Sequence, residues 1–273
     1  MKVQVNDLTF HIEINKSKIK SGNIPVIFLH GFTGSSQDWK FIIDRLPMNY
    51  LPCAIDLIGH GKSSHPDNTD HYTTEAITNQ LNVIITQLGF NNVILSGYSM
   101  GGRAALSFTV KFPSLVKALI LESTTPGISN EDERKAREQN DLLLVKRIES
   151  EGVKNFIDYW MNLPLFNSLK TISNDRYKQI IESKQKGNAV GLMNILRCFS
   201  TGLMPAYWNE LNKITHPVLL ITGELDEKFT TINKEAAEIF PNCHHSVIKN
   251  TGHNVHLEKP EEFIILVNQF LNG

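Results

Sequence analysis

The sequence predicts an α/β fold: a mostly parallel central sheet, covered by helices on both faces and interrupted by a helical insertion. Three observations lead there. Short apolar runs recur with room for a helix between them: Pro25–Leu29, Cys53–Leu57, Val93–Gly97, Ala118–Glu122, Pro217–Thr222 and His245–Ile248. Their hydrophobicity is continuous rather than alternating, as it must be for strands buried on both faces. Between about Ile128 and Asn212 the rhythm stops, and charged amphipathic stretches take its place.

The first segment, "MKVQVNDLTFHIEI", alternates apolar and polar residues about Asn6-Asp7 and predicts a β-hairpin at the antiparallel edge of the sheet, not a leader peptide. In the strand-free interval a helix is expected to begin near Ser129-Asn130, with acidic residues in its first turn. "VKNFIDYWMNLPLF" and "GNAVGLMNILRCFS" read as further helical segments. The expected division is a core of residues 1–127 and 213–273, with a helical cap or lid of residues 128–212 over the carboxyl ends of the strands, where such sheets bind ligands.

Composition narrows the classes of function. The chain has 273 residues, 41% of them apolar and 20% charged, with a net charge of −1. That balance gives no global attraction to nucleic acid or to an anionic membrane, and no apolar run is long enough to span a bilayer. Cys53, Cys198 and Cys243 are odd in number and widely spaced, which argues against a disulfide framework. A soluble, cytoplasmic monomer or weak homo-oligomer acting on a small molecule is expected.

Gly97-Tyr98-Ser99-Met100-Gly101 is G-x-S-x-G, placed directly after an apolar run and before an alanine-rich, helix-like one. In that context the serine sits on a turn too tight for side chains on either side, with its hydroxyl exposed and the next N–H groups aimed near it. Such a hydroxyl needs a base, and the base needs an orienting acid. Both should follow in the order acid, then histidine. Asp226 after "LLITGELD" and His253 in "SVIKNTGHNVH" stand after the two late strands in that order. Read singly, Asp226 is also a plausible helix cap and His253 a loop histidine; position and order favour a Ser99–His253–Asp226 triad. After the first core strand, Gly31 lets the backbone of "HGFTGS" fold back, so that the Phe32 and Met100 N–H groups would form an oxyanion hole. His30 reads as a ring bracing that loop.

Two patterns are set aside. Gly61-Lys62-Ser63 resembles the end of a P-loop, but the first glycine it requires falls at Asp56. Cys243, His244, His245, His253 and His256 suggest a metal set, yet adjacent residues of a strand face opposite ways, so no metal is expected.

With "HGFTGS", "DLIGHGKSS", "GYSMGG", "GELD" and "TGHNVHLEKP" in place, the chain resembles the α/β-hydrolase family over essentially its whole length. Arg103 is the feature that an ester-splitting pocket does not explain. It lies in the first turn of the helix after Ser99, against the positive end of that helix's dipole. Either a buried carboxylate such as Asp56 or Glu122 compensates it, or it binds a substrate carboxylate through its fork of donors. Arg134 and Arg137 are close enough in sequence to share a helix face, and for Arg134 a solvated surface is the plainer reading.

The run Gly97 to Arg103, Pro126-Gly127-Ile128, Arg137, "YWMNLPLF" and "GHNVHLEKP" are similar to one branch of that family, the menaquinone-pathway lyases that make 2-succinyl-6-hydroxy-2,4-cyclohexadiene-1-carboxylate. The resemblance implies elimination of pyruvate from a substrate with three carboxylates, no cofactor, and Tyr98, Arg103, Arg137 and Trp160 around the substrate. It places a further cation of that branch at Lys184, where lysine keeps the charge but loses the planar fork; Arg197 is the other candidate. A serine hydrolase of a small ester or C–C bond is the alternative, and a non-catalytic ligand receptor on the same scaffold a more distant one.

Overall fold

The computed structural model describes residues 1–20 and 22–273. Eight strands form one sheet: β1 (Lys2–Val5), β2 (Leu8–Ile14), β3 (Ile24–Leu29), β4 (Tyr50–Ile55), β5 (Val93–Tyr98), β6 (Val116–Glu122), β7 (Val218–Gly223) and β8 (Cys243–Ile248), in the spatial order β1-β2-β4-β3-β5-β6-β7-β8. The hairpin β1–β2 is antiparallel and joins β4 antiparallel, while all other pairs are parallel. Val26, Ile27, Phe28 and Leu29 of β3 are completely buried, and alternate members face two separate cores on either side of the sheet. Burial on both faces is what continuous hydrophobicity requires.

The helices are α1 (Lys40–Arg45), α2 (Thr74–Gln87), α3 (Met100–Lys111), α4 (Glu131–Trp160), α5 (Asn174–Gln185), α6 (Ala189–Cys198), α7 (Glu227–Ile239), α8 (Val255–Glu258) and α9 (Pro260–Asn272). Local chemistry sets several starts. The Thr73 hydroxyl accepts the Ala76 N–H at 3.1 Å to cap α2. Asn130 accepts the Glu133 N–H at 3.0 Å to cap α4, whose first turn carries Glu131, Asp132 and Glu133 at the positive end of the dipole. α4 bends at Gly152, which has φ 76°. Between β6 and β7 the described residues hold helices and turns but no strand. Their apolar side chains, among them Val145, Phe156, Leu169 and Leu192, form a third core that also packs Phe32 and Leu257 of the sheet domain. No described helix is long and apolar enough to cross a membrane.

Parallel pairing brings the loops after β3, β5, β6, β7 and β8 to one end of the sheet. Leu29 pairs with Gly97, Tyr98 with Glu122, Glu122 with Ile221, and Gly223 with Ile248. The turn after β5 is the tightest. Ser99 has φ 50° and ψ −107°, a left-handed conformation costly for a residue with a side chain. It persists because Gly101 lies directly on the Leu29 carbonyl; a Cβ there would collide with backbone. Gly101→Ala is therefore expected to lower stability by about 1–3 kcal/mol, read as a shifted midpoint in urea unfolding. An unchanged midpoint would mean that the turn does not need glycine.

Candidate active site

Ser99, Asp226 and His253 come from the ends of three strands and meet in one chain of contacts. His253 Nδ1 lies 2.6 Å from Asp226 Oδ2, and His253 Nε2 lies 3.1 Å from Ser99 Oγ. A carboxylate can only accept, so Nδ1 carries the proton and Nε2 is left to accept from the Ser99 hydroxyl. Asp226 and His253 are buried, whereas Ser99 is partly open. The serine backbone is pinned on both sides: its N–H donates to the Glu122 carbonyl at 2.8 Å, and its own carbonyl accepts from the Thr124 hydroxyl at 2.8 Å.

Met100 is the first residue of α3, so its N–H has no acceptor within the helix. Phe32 follows the completed β3 strand, where Thr33 adopts φ 66°. Among the described residues, no protein acceptor takes either N–H. His30 braces this loop: its Nδ1 lies 2.8 Å from the Gly31 carbonyl, and its Nε2 accepts the Leu57 N–H at 3.0 Å. Burial lowers its pKa, which keeps the ring neutral.

A cavity of about 260 Å³ opens above Ser99, walled by both the sheet domain and the helices between β6 and β7. Trp160, Phe166 and Leu196 give it an apolar side, and Trp160 stands edge-on to Phe32 with ring centroids 5.4 Å apart. Tyr98 is buried at its floor, between the rings of His253 (5.3 Å) and His256 (4.9 Å).

Arg103 and Arg137 face the same cavity. Only 8% of Arg103 is exposed. Its Nη1 donates to the Phe199 carbonyl at 2.6 Å, at the C-terminal end of α6, and its guanidinium lies 4.7 Å from the Phe199 ring centroid. A helix C-terminus thus compensates part of its charge. The carboxylates that could have paired with it are occupied elsewhere: Asp56 accepts the Ser36 and Lys62 N–H groups, and Glu122 faces His256. Burial, and secondarily the charge of Arg137, push the Arg103 pKa down to about 9, with Asp141 opposing. Arg137 donates through Nε to Asp141 at 2.8 Å; Asp141 also accepts from the Ser200 hydroxyl.

The other candidate cations fall elsewhere. Lys184 does not reach this cavity. The end of α5 tucks it beneath the loop after β3, where it is buried with Nζ 3.8 Å from Asp38 Oδ2. Arg197 lines a separate surface groove, with Nη1 3.3 Å from Asn194 Oδ1. Arg134 donates to the Gly202 carbonyl at 3.1 Å, and Trp160 both lines the cavity and packs in the helical core.

Several residues of the site carried no signal in the sequence. Asp141 and Ser200 are 59 positions apart, and Glu122 and His256 are 134 apart. Lys228 and Phe229 line the cavity from the first turn of α7, with Phe229 4.6 Å from the His253 ring. Their nearness to Asp226 in sequence was the one clue available. Among the described residues, no group of three or more His, Cys, Asp or Glu side chains is placed to hold a metal.

The model of the alpha/beta hydrolase fold family matches residues 24–260. The chain belongs to the α/β-hydrolase family. It is 42% identical over 248 residues (91% of this chain, 90% of the relative) to a Bacillus subtilis (strain 168) protein provisionally named 2-succinyl-6-hydroxy-2,4-cyclohexadiene-1-carboxylate synthase. It is 31% identical over 246 residues, 90% of this chain and 91% of the relative, to the synthase of that name from Enterobacter sp. (strain 638). Among solved structures it superposes on MenH from S. aureus with a TM-score of 0.90 and 33% identity, covering 96% of this chain and 97% of that one. A Burkholderia xenovorans LB400 enol-lactonase, TM-score 0.86 at 17% identity over 100% of both chains, shares the fold.

The lowered Arg103 pKa sets a direction. The guanidinium is charged at neutral pH and loses its proton as pH rises through about 9. Affinity for a carboxylate ligand of the cavity is expected to hold from pH 7 to 8 and fall above 9, measured by calorimetric titration. Constant affinity up to pH 10.5 would show that the Arg103 guanidinium keeps its proton throughout that range.

Proposed function

We propose that this chain eliminates pyruvate from 2-succinyl-5-enolpyruvyl-6-hydroxy-3-cyclohexene-1-carboxylate to give 2-succinyl-6-hydroxy-2,4-cyclohexadiene-1-carboxylate, a step of menaquinone biosynthesis. The observation that carries this reading is Arg103. It is a buried guanidinium lining the same cavity as Ser99, and no protein carboxylate pairs with it among the described residues. The identity to relatives bearing that synthase name supports the same reaction. A lipid or simple ester gives no reason to bury a cation there, whereas a substrate with three carboxylates does.

In this reading Ser99, its proton held by His253 Nε2, acts as the base. It takes the ring proton α to the succinyl ketone, and Asp226 stabilises the imidazolium through Nδ1. The Phe32 and Met100 N–H groups receive the enolate oxygen. The electron pair of the broken C–H bond forms a ring double bond, the existing double bond shifts, and the C–O bond to the enolpyruvyl group breaks. The enolpyruvyl group departs as an enolate, takes up a proton at its methylene carbon and becomes pyruvate. Arg103 and Arg137 hold substrate carboxylates, while Tyr98 and Trp160 shape the apolar wall. Residues 128–212 act as a cap that removes the reacting carbon from water.

The test is pyruvate release, followed by coupled NADH loss, on enzymatically prepared substrate, with an aryl-ester panel alongside. The wild type is expected to release pyruvate quickly and turn esters over poorly. Ser99→Ala should lower kcat by about 10²–10⁴-fold, the contribution of a positioned base. Arg103→Ala should lower kcat/KM by about 10–10²-fold, the loss of charge-assisted hydrogen bonds. Pyruvate release no faster than in buffer, with good ester turnover, would instead assign a serine hydrolase.

A further inference from the structure

A second carboxylate stands against the loop that carries His253, and the reaction above gives it no part. Glu258, the last residue of α8, accepts the Gly252 N–H through Oε2 at 2.9 Å and the Asn254 N–H through Oε1 at 3.2 Å. Its two oxygens thereby bracket His253 from the peptides on either side. Oε1 also accepts from the Ser168 hydroxyl at 3.1 Å, and Ser168 opens the turn Ser168–Thr171 in the helical segment between β6 and β7. Gly252 permits that approach, since a Cβ there would collide with Ser168 Oγ. A second tie runs the same way: Arg176 of α5 donates to the Leu257 carbonyl at 2.9 Å. Two hydrogen bonds from the helical segment therefore end on the stretch 252–258 that holds His253.

We infer that Glu258 is a positioning residue that makes the placement of His253 depend on where the helical segment sits. The contact from His253 Nε2 to Ser99 Oγ is 3.1 Å, so a displacement of the loop by a fraction of an ångström takes it out of hydrogen-bond range. A carboxylate with both oxygens engaged restrains two peptides at once, and a glutamine cannot, because one of its two terminal atoms is a donor. A plain helix cap would account for the Asn254 contact alone. It does not account for the Gly252 and Ser168 contacts, which lie outside the helix.

The inference rests on Ser99 and His253 acting together, but not on the identity of the substrate, and its test is chosen accordingly. Covalent labelling of Ser99 in the full-length protein by a fluorophosphonate probe reads activation of the serine whether or not pyruvate is ever released. Glu258→Gln is expected to lower the limiting labelling rate about tenfold, the scale of a small misplacement of a catalytic group, with the concentration for half-maximal rate unchanged. Ser168→Ala should lower the rate about threefold by the same route, and the double variant should be no slower than Glu258→Gln. The low-field proton resonance of His253 Nδ1–H should broaden in both single variants. Wild-type rates in either single variant, or losses that multiply in the double variant, would overturn the coupling. If Glu258→Gln fails to fold, Ser168→Ala alone decides on the same criterion.

Discussion

The left-handed turn at Ser99 is the constraint on which the rest of the site depends. A residue with a side chain held at φ 50° is strained by about 1–3 kcal/mol and stays there only if its surroundings allow nothing else. Here Ser99 alone connects the end of β5 to the start of α3, Gly101 rests on the Leu29 carbonyl, and the serine's own amide and carbonyl are tied to Glu122 and Thr124. The same turn that lifts the hydroxyl out of the sheet leaves the Met100 N–H without an intrahelical acceptor. Strain, exposed oxygen and free donor are one feature seen from three sides.

Around that turn the sheet brings Asp226 and His253 to Ser99, and the helical segment forms the upper wall of the cavity. Parallel pairing puts the loops bearing Phe32, Asp226 and His253 beside Ser99 from distant parts of the chain. The helices between β6 and β7 add Arg137, Trp160 and Phe166 above it. Arg103 joins the two parts: it starts on the helix of the serine and ends against the carbonyl of Phe199 at the tail of α6. A cation held by a helix terminus rather than by a carboxylate keeps donors available for a ligand, in surroundings where each hydrogen bond to a charge is strong. Arg137 differs in being held by a carboxylate: Asp141, which also accepts from the Ser200 hydroxyl, engages one edge of its guanidinium.

Much of this was legible in the sequence because it follows from local rules. Continuous apolar runs marked strands buried on both faces, the alternation about Asn6-Asp7 marked the edge hairpin, and Asn130 with its acidic followers marked the start of α4. Ser99, Asp226 and His253 could be picked out because each follows a strand, and parallel strands end together. What stayed hidden depends on packing across long separations. Lys184 shares the spacing of a substrate-facing cation, yet the docking of α5 under the loop after β3 turns it toward Asp38. The stacked pair of Trp39 and His256, 4.2 Å apart with Glu122 on the imidazole, has no local signature either. Glu258 in "HLEKP" likewise carries no local cue for the contacts its oxygens make on both sides of His253.

On the proposed reaction, a serine placed as in a hydrolase removes a proton from carbon. The most direct measurement is the single-turnover rate of pyruvate formation for substrate carrying hydrogen or deuterium at the ring carbon next to the succinyl ketone. If Ser99 and His253 break that bond, the deuterated substrate reacts distinctly more slowly. Equal rates, together with an enzyme species heavier by a substrate fragment on Ser99, would place the chemistry at a carbonyl and contradict the account.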